Sequence, residues 1–201
     1  ASLEAFQSVQ NKDGESNILN NLGSIYFITG DDAKSIEYHL KSLKIGEEIN
    51  NKLRISTNLL NMGTVYANKP ATTNTALSYF LRSLPLFEEI NYDAGIGIAS
   101  MNIGEIYFNK GSYDSALLNF ERSITIYEGT ADAAFPLSYI GEIYAIKSDF
   151  QKALTFHNQA VEVSKRLDAK FELAQSLLSL GKTEYKMGKV KQSIATNQQA
   201  L

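Results

Sequence analysis

The chain has 201 residues, of which 44% are hydrophobic and 20% are charged, and its formal net charge is −3. A weakly acidic chain without a block of like charges argues against a nucleic-acid surface, which needs a clustered basic face. The sequence holds no cysteine, which excludes disulfides and thiol chemistry, and no apolar run approaches the roughly 18 residues of a membrane-spanning helix.

One glycine recurs along the chain at a nearly constant interval. It stands within "NNLGSIY", "LNMGTVY", "MNIGEIY", "SYIGEIY" and "LSLGKTEY", at Gly23, Gly63, Gly104, Gly141 and Gly181. The intervals are 40, 41, 37 and 40 residues. A fixed period of this size is typical of a solenoid built from tandem helical repeats.

The spacing predicts two helices in each repeat, joined by a turn. In chain order we expect the end of an earlier second helix at 1–12, and helix pairs at 15–50, 53–91, 95–128, 132–166 and 170–201. The segment 1–12 is assigned by its Ser2-Leu3 pair, which precedes Gly23 as Ser42-Leu43 precedes Gly63. We therefore expect the array to be an excerpt of a longer one.

Each first helix carries a large apolar residue directly before the glycine, and four of the five carry a tyrosine three residues after it. The fifth repeat has Glu184 instead of the tyrosine. The second helices carry small residues followed by branched ones, which mark points of close backbone approach. On the second helix, His39 and His157 occupy the position of Phe80 and Phe120, which predicts that the two histidines replace packed aromatic rings.

The two prolines within the predicted helices and one short interval make local predictions. Pro85 lies well inside a second helix and should kink it. Pro136 lies near the start of a first helix, where proline is tolerated. The interval before Gly141 is short, so "EGTAD" at 128–132 should break the helical pattern.

These residues resemble the tetratricopeptide repeat, whose pattern is a Leu-Gly pair, a tyrosine three residues later, and then Ala, Phe and Ala on the second helix. The resemblance covers nearly the whole chain. It implies an all-α fold, an α-solenoid of antiparallel helix pairs that forms a right-handed superhelix. The period near 40 exceeds the usual 34 and resembles the arrays of bacterial signalling proteins that contain this repeat.

The positions −6, −2, +1 and +5 from each glycine cluster on one side of the first helix, away from the buried side. In the family this side lines a concave groove, which implies that the groove residues here include Asn17, Asn21, Asn61, Asn102, Glu105, Asn109, Tyr139 and Glu142. Ser179, Lys182 and Lys186 fall on the same side in the fifth repeat.

Asparagine at position −2 in three successive repeats suits a bound extended peptide. A side-chain amide offers one acceptor and two donors, so Asn21, Asn61 and Asn102 could bond a peptide backbone of any sequence. The alternative is that these are ordinary solvated side chains. Glu105 and Glu142 could attract a basic side chain, and Lys182 and Lys186 reverse the charge at the far end.

We find no motif that predicts catalysis, a metal site or a cofactor. The sequence therefore predicts a non-catalytic scaffold, cytoplasmic, that binds a protein or an extended peptide. One alternative is a sensor region of a larger bacterial signalling protein of the histidine kinase or nucleotide cyclase type. Another is homo-oligomerisation through uncapped terminal helices that expose Leu3, Phe6 and Val9.

Overall fold

A computed structural model describes residues 11–200 and shows an all-α protein. Within that range no residue lies in a β-strand. The α-helices are α1 (Lys12–Ile28), α2 (Asp32–Glu48), α3 (Lys52–Ala67), α4 (Thr73–Glu89), α5 (Asp93–Asn109), α6 (Tyr113–Ile126), α7 (Ala134–Ile146), α8 (Phe150–Arg166), α9 (Lys170–Lys186) and α10 (Val190–Gln198). Residues 1–10 of the helix end predicted at 1–12, including Leu3, Phe6 and Val9, lie outside the described residues. The prediction is wrong at its last two positions, because Asn11 caps α1 and Lys12 begins it.

The chain forms two compact units, Ala1–Ile103 and Gly104–Leu201, and the boundary falls within α5. In the first unit α1 packs against α2 and α3 against α4, and α2 also packs against α3. In the second unit α7 packs against α8, α8 against α9, and α9 against α10. Each unit is thus a run of helix pairs of the α-solenoid class.

The repeated glycines are points of close contact between the two helices of a pair. A Cβ added to Gly23 would lie 2.6 Å from the His39 ring, and one added to Gly63 would lie 2.5 Å from the Phe80 ring. The corresponding distance from Gly104 to the Phe120 ring is 2.7 Å. No side chain fits at such distances, which explains why each helix tolerates a glycine that costs about 1 kcal/mol.

The apolar core continues from one helix pair into the next. In the first unit Leu43 of α2 packs with Leu59 and Met62 of α3, and all three are buried. In the second unit Val161 of α8 packs in the same way with Leu177 and Leu180 of α9. Each second helix therefore buries its apolar side against the following first helix, which is why stacked repeats stabilise each other.

Most of the described helices are followed by a residue with left-handed backbone conformation, which lets the chain reverse direction within a few residues. Glycine occupies this position after α1, at Gly30 (φ +83°), but asparagine occupies it after α2, at Asn50 (φ 51°). After α7 and α8 the position is held by Ser148 (φ 62°) and Asp168 (φ 50°).

The proline and break predictions can be compared with the helix bounds. Pro136 lies in the first turn of α7, and α6 ends at Ile126 before the 3₁₀ turn Ala131–Ala133, so both predictions are confirmed. Pro85 lies inside α4, which continues past it to Glu89. A kink at Pro85 stays a prediction.

Candidate functional site

The first helices of the repeats expose the side that the spacing predicts. Of the positions −6, −2, +1 and +5 from the repeat glycines, nearly all are exposed or half-buried. Ser179 is the exception, since it is only 9% exposed. The opposite positions, −4 and −1, are buried in all repeats except at the half-buried Leu22. The amphipathic reading of these helices is therefore correct in outline.

In the first unit, part of this face is occupied by bonds between α1 and α3. Arg54 forms a two-pronged ion pair with Asp13, at 2.9 Å (Nε to Oδ1) and 3.1 Å (Nη2 to Oδ2). Its Nη1 also donates to Oδ1 of Asn17 at 2.9 Å. The same guanidinium lowers the pKa of Asp13, chiefly through this hydrogen bond. The side-chain oxygen of Asn17, a predicted groove residue, therefore accepts a hydrogen bond from Arg54 of the next repeat.

The predicted asparagine series is not uniform. Asn21 is exposed. Asn61 is half-buried, and its Nδ2 donates to Oδ1 of Asn20 at 2.9 Å. Asn102 is half-buried, and its side chain bonds to no other residue of the range 11–200. Asn61 keeps its carbonyl oxygen and one N–H for a ligand, while Asn102 keeps its whole amide.

In the second unit, α5, α7 and α9 surround a cavity of about 410 Å³. Three predicted residues line it: Asn109, Tyr139 and Glu142. The other lining residues are Phe108, Ala134, Phe135, Ser138, Phe171, Gln175, Ser176, Ser179 and Lys182. We call this cavity the aromatic cavity, because four of its walls are aromatic rings.

The rings of the aromatic cavity hold each other in place. Tyr139 stacks on the buried Phe120 with 5.0 Å between ring centroids and meets the edge of Phe108 at 5.2 Å. Phe135 and Phe171 lie 6.3 Å apart at the other side. Phe171 is 64% exposed, which is unusual for a phenylalanine on a helix. The cavity therefore presents apolar ring surface that the described part of the protein leaves uncovered.

Two serine hydroxyls in the wall lack a partner. Oγ of Ser138 on α7 and Oγ of Ser176 on α9 are buried and make no hydrogen bond within the described residues. Two buried serines of other helix faces instead bond the carbonyl four residues back, Ser56 to Lys52 and Ser164 to Ala160. The wall of the aromatic cavity thus has unused hydrogen-bonding capacity.

A second, adjoining cavity of about 330 Å³ shares Glu142 and Lys182 with the aromatic cavity. Its other lining residues are Ala145, Ile146, Thr183, Tyr185 and Lys186. We call it the lysine cavity. Together the two cavities form a groove between α7 and α9 with an aromatic end and a cationic end.

The charged groups of this groove differ in what they bind. Oε1 of Glu142 accepts a hydrogen bond of 3.0 Å from Oγ of Ser179, which explains why that serine is buried. Burial raises the pKa of Tyr139, and the nearby carboxylates of Glu105 and Glu142 raise it further. Glu105 does not line the aromatic cavity but lies close to the phenol that does. Lys182 is exposed and forms no ion pair within the range 11–200.

Sequence reasoning missed three parts of this site. Phe108 and Phe171 lie outside the repeat positions that define the predicted face, at +4 and −10 from their glycines. The exposed Phe171 gives no signal in one sequence, because a phenylalanine near a helix start is normally core. Arg54 was also missed, since its reach across to α1 depends on the packing of two repeats.

Family models of the tetratricopeptide repeat match three segments of the chain, residues 17–52, 99–130 and 132–201. Together with the glycine contacts, these matches decide the family. The chain is a tetratricopeptide repeat protein. A search of curated protein sequences gives no significant match.

Solved structures of similar fold support this assignment. BtubC (BKLC) from P. vanneervenii aligns over 98% of this chain and 82% of its own, with a TM-score of 0.82 and 15% identity. The apo form of RapI aligns over 98% and 85%, with a TM-score of 0.78 and 15% identity. The Rap conjugation gene regulator of plasmid pLS20, solved with the Phr* peptide, aligns over 96% and 54%, with a TM-score of 0.75 and 18% identity.

None of the helices within residues 11–200 combines the length and the apolar character needed to cross a membrane.

Proposed function

We propose that this tetratricopeptide repeat protein is a non-catalytic scaffold that binds an extended peptide segment of a partner protein along the exposed side of its first helices. The observation that carries the proposal is the aromatic cavity, where the predicted residues Asn109, Tyr139 and Glu142 meet. An uncovered ring surface next to amide and charged side chains is the usual composition of a site that binds a peptide side chain.

The amide groups on the same side of the helices supply the second half of an extended-peptide site. Asn109 and Gln175, both in the second unit, are exposed. Each amide can donate to a peptide carbonyl and accept from a peptide N–H. A peptide bound in this way needs no particular sequence at those positions, so sequence preference would arise at the cavities.

A similar fold is solved with a peptide bound. The Rap conjugation gene regulator was determined in complex with the Phr* peptide. We extend peptide binding to this chain on the strength of its own cavity, since a likeness at 18% identity concerns the fold.

The test is selection of binders from a random peptide library displayed on phage, with the whole chain as bait. We expect enriched peptides, and we expect Phe171→Ala to weaken their binding about tenfold or more, because the exposed ring contributes apolar contact area. Leu118→Ala is the matched control: Leu118 is 69% exposed on α6 and does not line either cavity. Failure to enrich any peptide, or equal binding by the Phe171→Ala protein, would show that the proposal is wrong.

The asparagine series is tested by Asn102→Ala with Asn158→Ala as control, since Asn158 is exposed on the second helix α8. We expect only Asn102→Ala to weaken the selected peptides. Asn61→Ala is a poorer probe, because it also removes the bond to Asn20. Unchanged affinity of the Asn102→Ala protein would remove the series from the site.

A further inference from the structure

Resting on the proposed function, we infer the chemistry of the segment that binds the second unit: an extended peptide that places an aromatic side chain in the aromatic cavity and acidic side chains at the lysine cavity. The inference uses only residues of α5, α7 and α9. It assigns an aromatic and acidic ligand to a groove whose own charges are both positive and negative.

The aromatic end fits a ring. Its walls are Phe108, Phe135, Tyr139 and Phe171, and its volume of about 410 Å³ is ample for one large side chain. Ring pairs gain binding energy beyond area burial when they meet offset or edge to face. Phe171 is 64% exposed although it also contacts Phe135, so part of its ring surface is free to meet a ligand ring. An aliphatic side chain would lose that increment.

The sign of the ligand's charge follows from which groove charges already have partners. Glu142 accepts from Ser179 at 3.0 Å, and Glu105 lies close to the Tyr139 phenol. Lys182 and Lys186 are exposed, line the lysine cavity and form no ion pair within the described residues. The carboxylates thus have donors on the protein, whereas the ammonium groups lack acceptors. A ligand carboxylate would supply them, with a charge-assisted hydrogen bond of the stronger class.

The length of the groove sets the spacing between the two ligand groups. Nine residues of α9 separate Gln175, in the wall of the aromatic cavity, from the midpoint of Lys182 and Lys186. At 1.5 Å per helical residue this is about 13 Å. An extended chain covers about 3.4 Å per residue, so the acidic side chains should lie about four residues from the aromatic one.

The experiment uses fluorescein-labelled Gly/Ser peptides of about twelve residues and measures anisotropy with the whole chain. The first peptide carries one phenylalanine and, four residues later, two glutamates. The second has alanine in place of the phenylalanine, and the third has lysines in place of the glutamates. The fourth, the adjacent-glutamate peptide, has its two glutamates directly after the phenylalanine. A fifth reverses the order of the groups. We expect one of the two orders to bind at least tenfold more tightly than the alanine and lysine peptides, and more tightly than the adjacent-glutamate peptide.

Charge reversal on the protein provides the second arm. The double variant Lys182→Glu, Lys186→Glu should lose about tenfold or more in affinity for the glutamate peptide and gain affinity for the lysine peptide. The matched control is Lys165→Glu with Lys191→Glu, which changes net charge equally on the exposed sides of α8 and α10. Circular dichroism melting of both variants confirms that they fold.

The outcomes separate this inference from the proposed function. If the phage selection enriches groove-dependent peptides that lack acidic residues, or the glutamate and lysine peptides bind equally, the inference is wrong and the scaffold stands. Equal losses in both double variants would likewise overturn the lysine cavity as the acidic site. If the selection enriches nothing and no peptide binds, both this inference and the proposed peptide-binding function are wrong.

Discussion

His157 packs directly beneath Gly141, so that a Cβ on this glycine would lie 2.5 Å from Cε1 of the imidazole. The ring is fully buried, and its Nε2 is 3.0 Å from Oγ1 of Thr183 on the next first helix. One side chain thus touches the first helix of its own repeat through the glycine and that of the following repeat through a hydrogen bond. The packing of neighbouring repeats in the second unit is coupled through this residue.

The first prediction concerns Gly141→Ala. Glycine to alanine in a helix interior normally stabilises by about 1 kcal/mol. Here the new methyl group would overlap the His157 ring, and overpacking of this kind costs about 1–3 kcal/mol. We expect urea denaturation to show a net loss of stability.

The control for this prediction is the same change in a His157→Ala background, where the ring is absent and Gly141→Ala should cost less or stabilise. A gain of stability from Gly141→Ala in the natural background would contradict the contact.

The second prediction concerns acid. Burial lowers the pKa of both His39 and His157 from 6.5 to about 4. Because the folded pKa lies below the unfolded one, the unfolded chain binds more protons between these values, and stability falls as the pH drops from about 6.5 to about 4. At about 1.4 kcal/mol per pKa unit, each histidine accounts for about 3 kcal/mol of that loss.

The double variant His39→Phe, His157→Phe tests this prediction, because phenylalanine occupies the same repeat position at Phe80 and Phe120. Its stability measured by urea denaturation between pH 4 and 7 should depend less on pH than that of the natural chain. Carboxylates titrate equally in both proteins, so the difference isolates the histidines. Parallel pH profiles would refute the assignment.

Contacts that recur in every repeat could be predicted from the sequence, whereas contacts that occur only once could not. The glycine and the buried residue before it recur every 40 residues or so, and packing two helices leaves few other solutions. His39 and His157 occupy the second-helix position that faces this glycine, which Phe80 and Phe120 hold in two other repeats. Ser179 shows the opposite case: the spacing places it on the free side, but its bond to Glu142 buries it.

The candidate site follows the same rule. Tyr139 and Asn109 could be placed from helical period alone, because they share a side with the other groove positions. Phe171 could not, since it lies a full turn beyond the repeat pattern and its exposure depends on what α7 leaves uncovered. The partners of Asn17 and Asn61 were also beyond the sequence, because they are side chains on a neighbouring repeat.

The third prediction concerns Glu184, which stands where four other repeats have tyrosine. It is 2% exposed, and its Oε2 has no hydrogen-bond partner within the described residues. A buried polar group without a partner costs about 1–3 kcal/mol. Glu184→Met should therefore raise the free energy of unfolding by that order.

The control for Glu184→Met is Glu162→Met, on the exposed side of α8, which should change stability by less than about 0.5 kcal/mol. A loss of stability in Glu184→Met would mean that the carboxylate has a stabilising role.

The fourth prediction concerns Ser148, the residue that reverses the chain after α7. Its φ of 62° is left-handed, a conformation that costs a residue with a Cβ about 1–2 kcal/mol and costs glycine almost nothing. The equivalent residue after α1 is Gly30, with φ +83°. Ser148→Gly relieves this cost but also gives the unfolded chain more freedom, so we expect a net stabilisation of about 0.5–1 kcal/mol.

The control is Ser78→Gly, at an exposed position inside α4, which should destabilise the protein by a similar amount because its backbone is already helical. Thermal melting of the two variants beside the natural chain measures both effects, and a destabilised Ser148→Gly protein would show that the turn does not hold the left-handed conformation in solution.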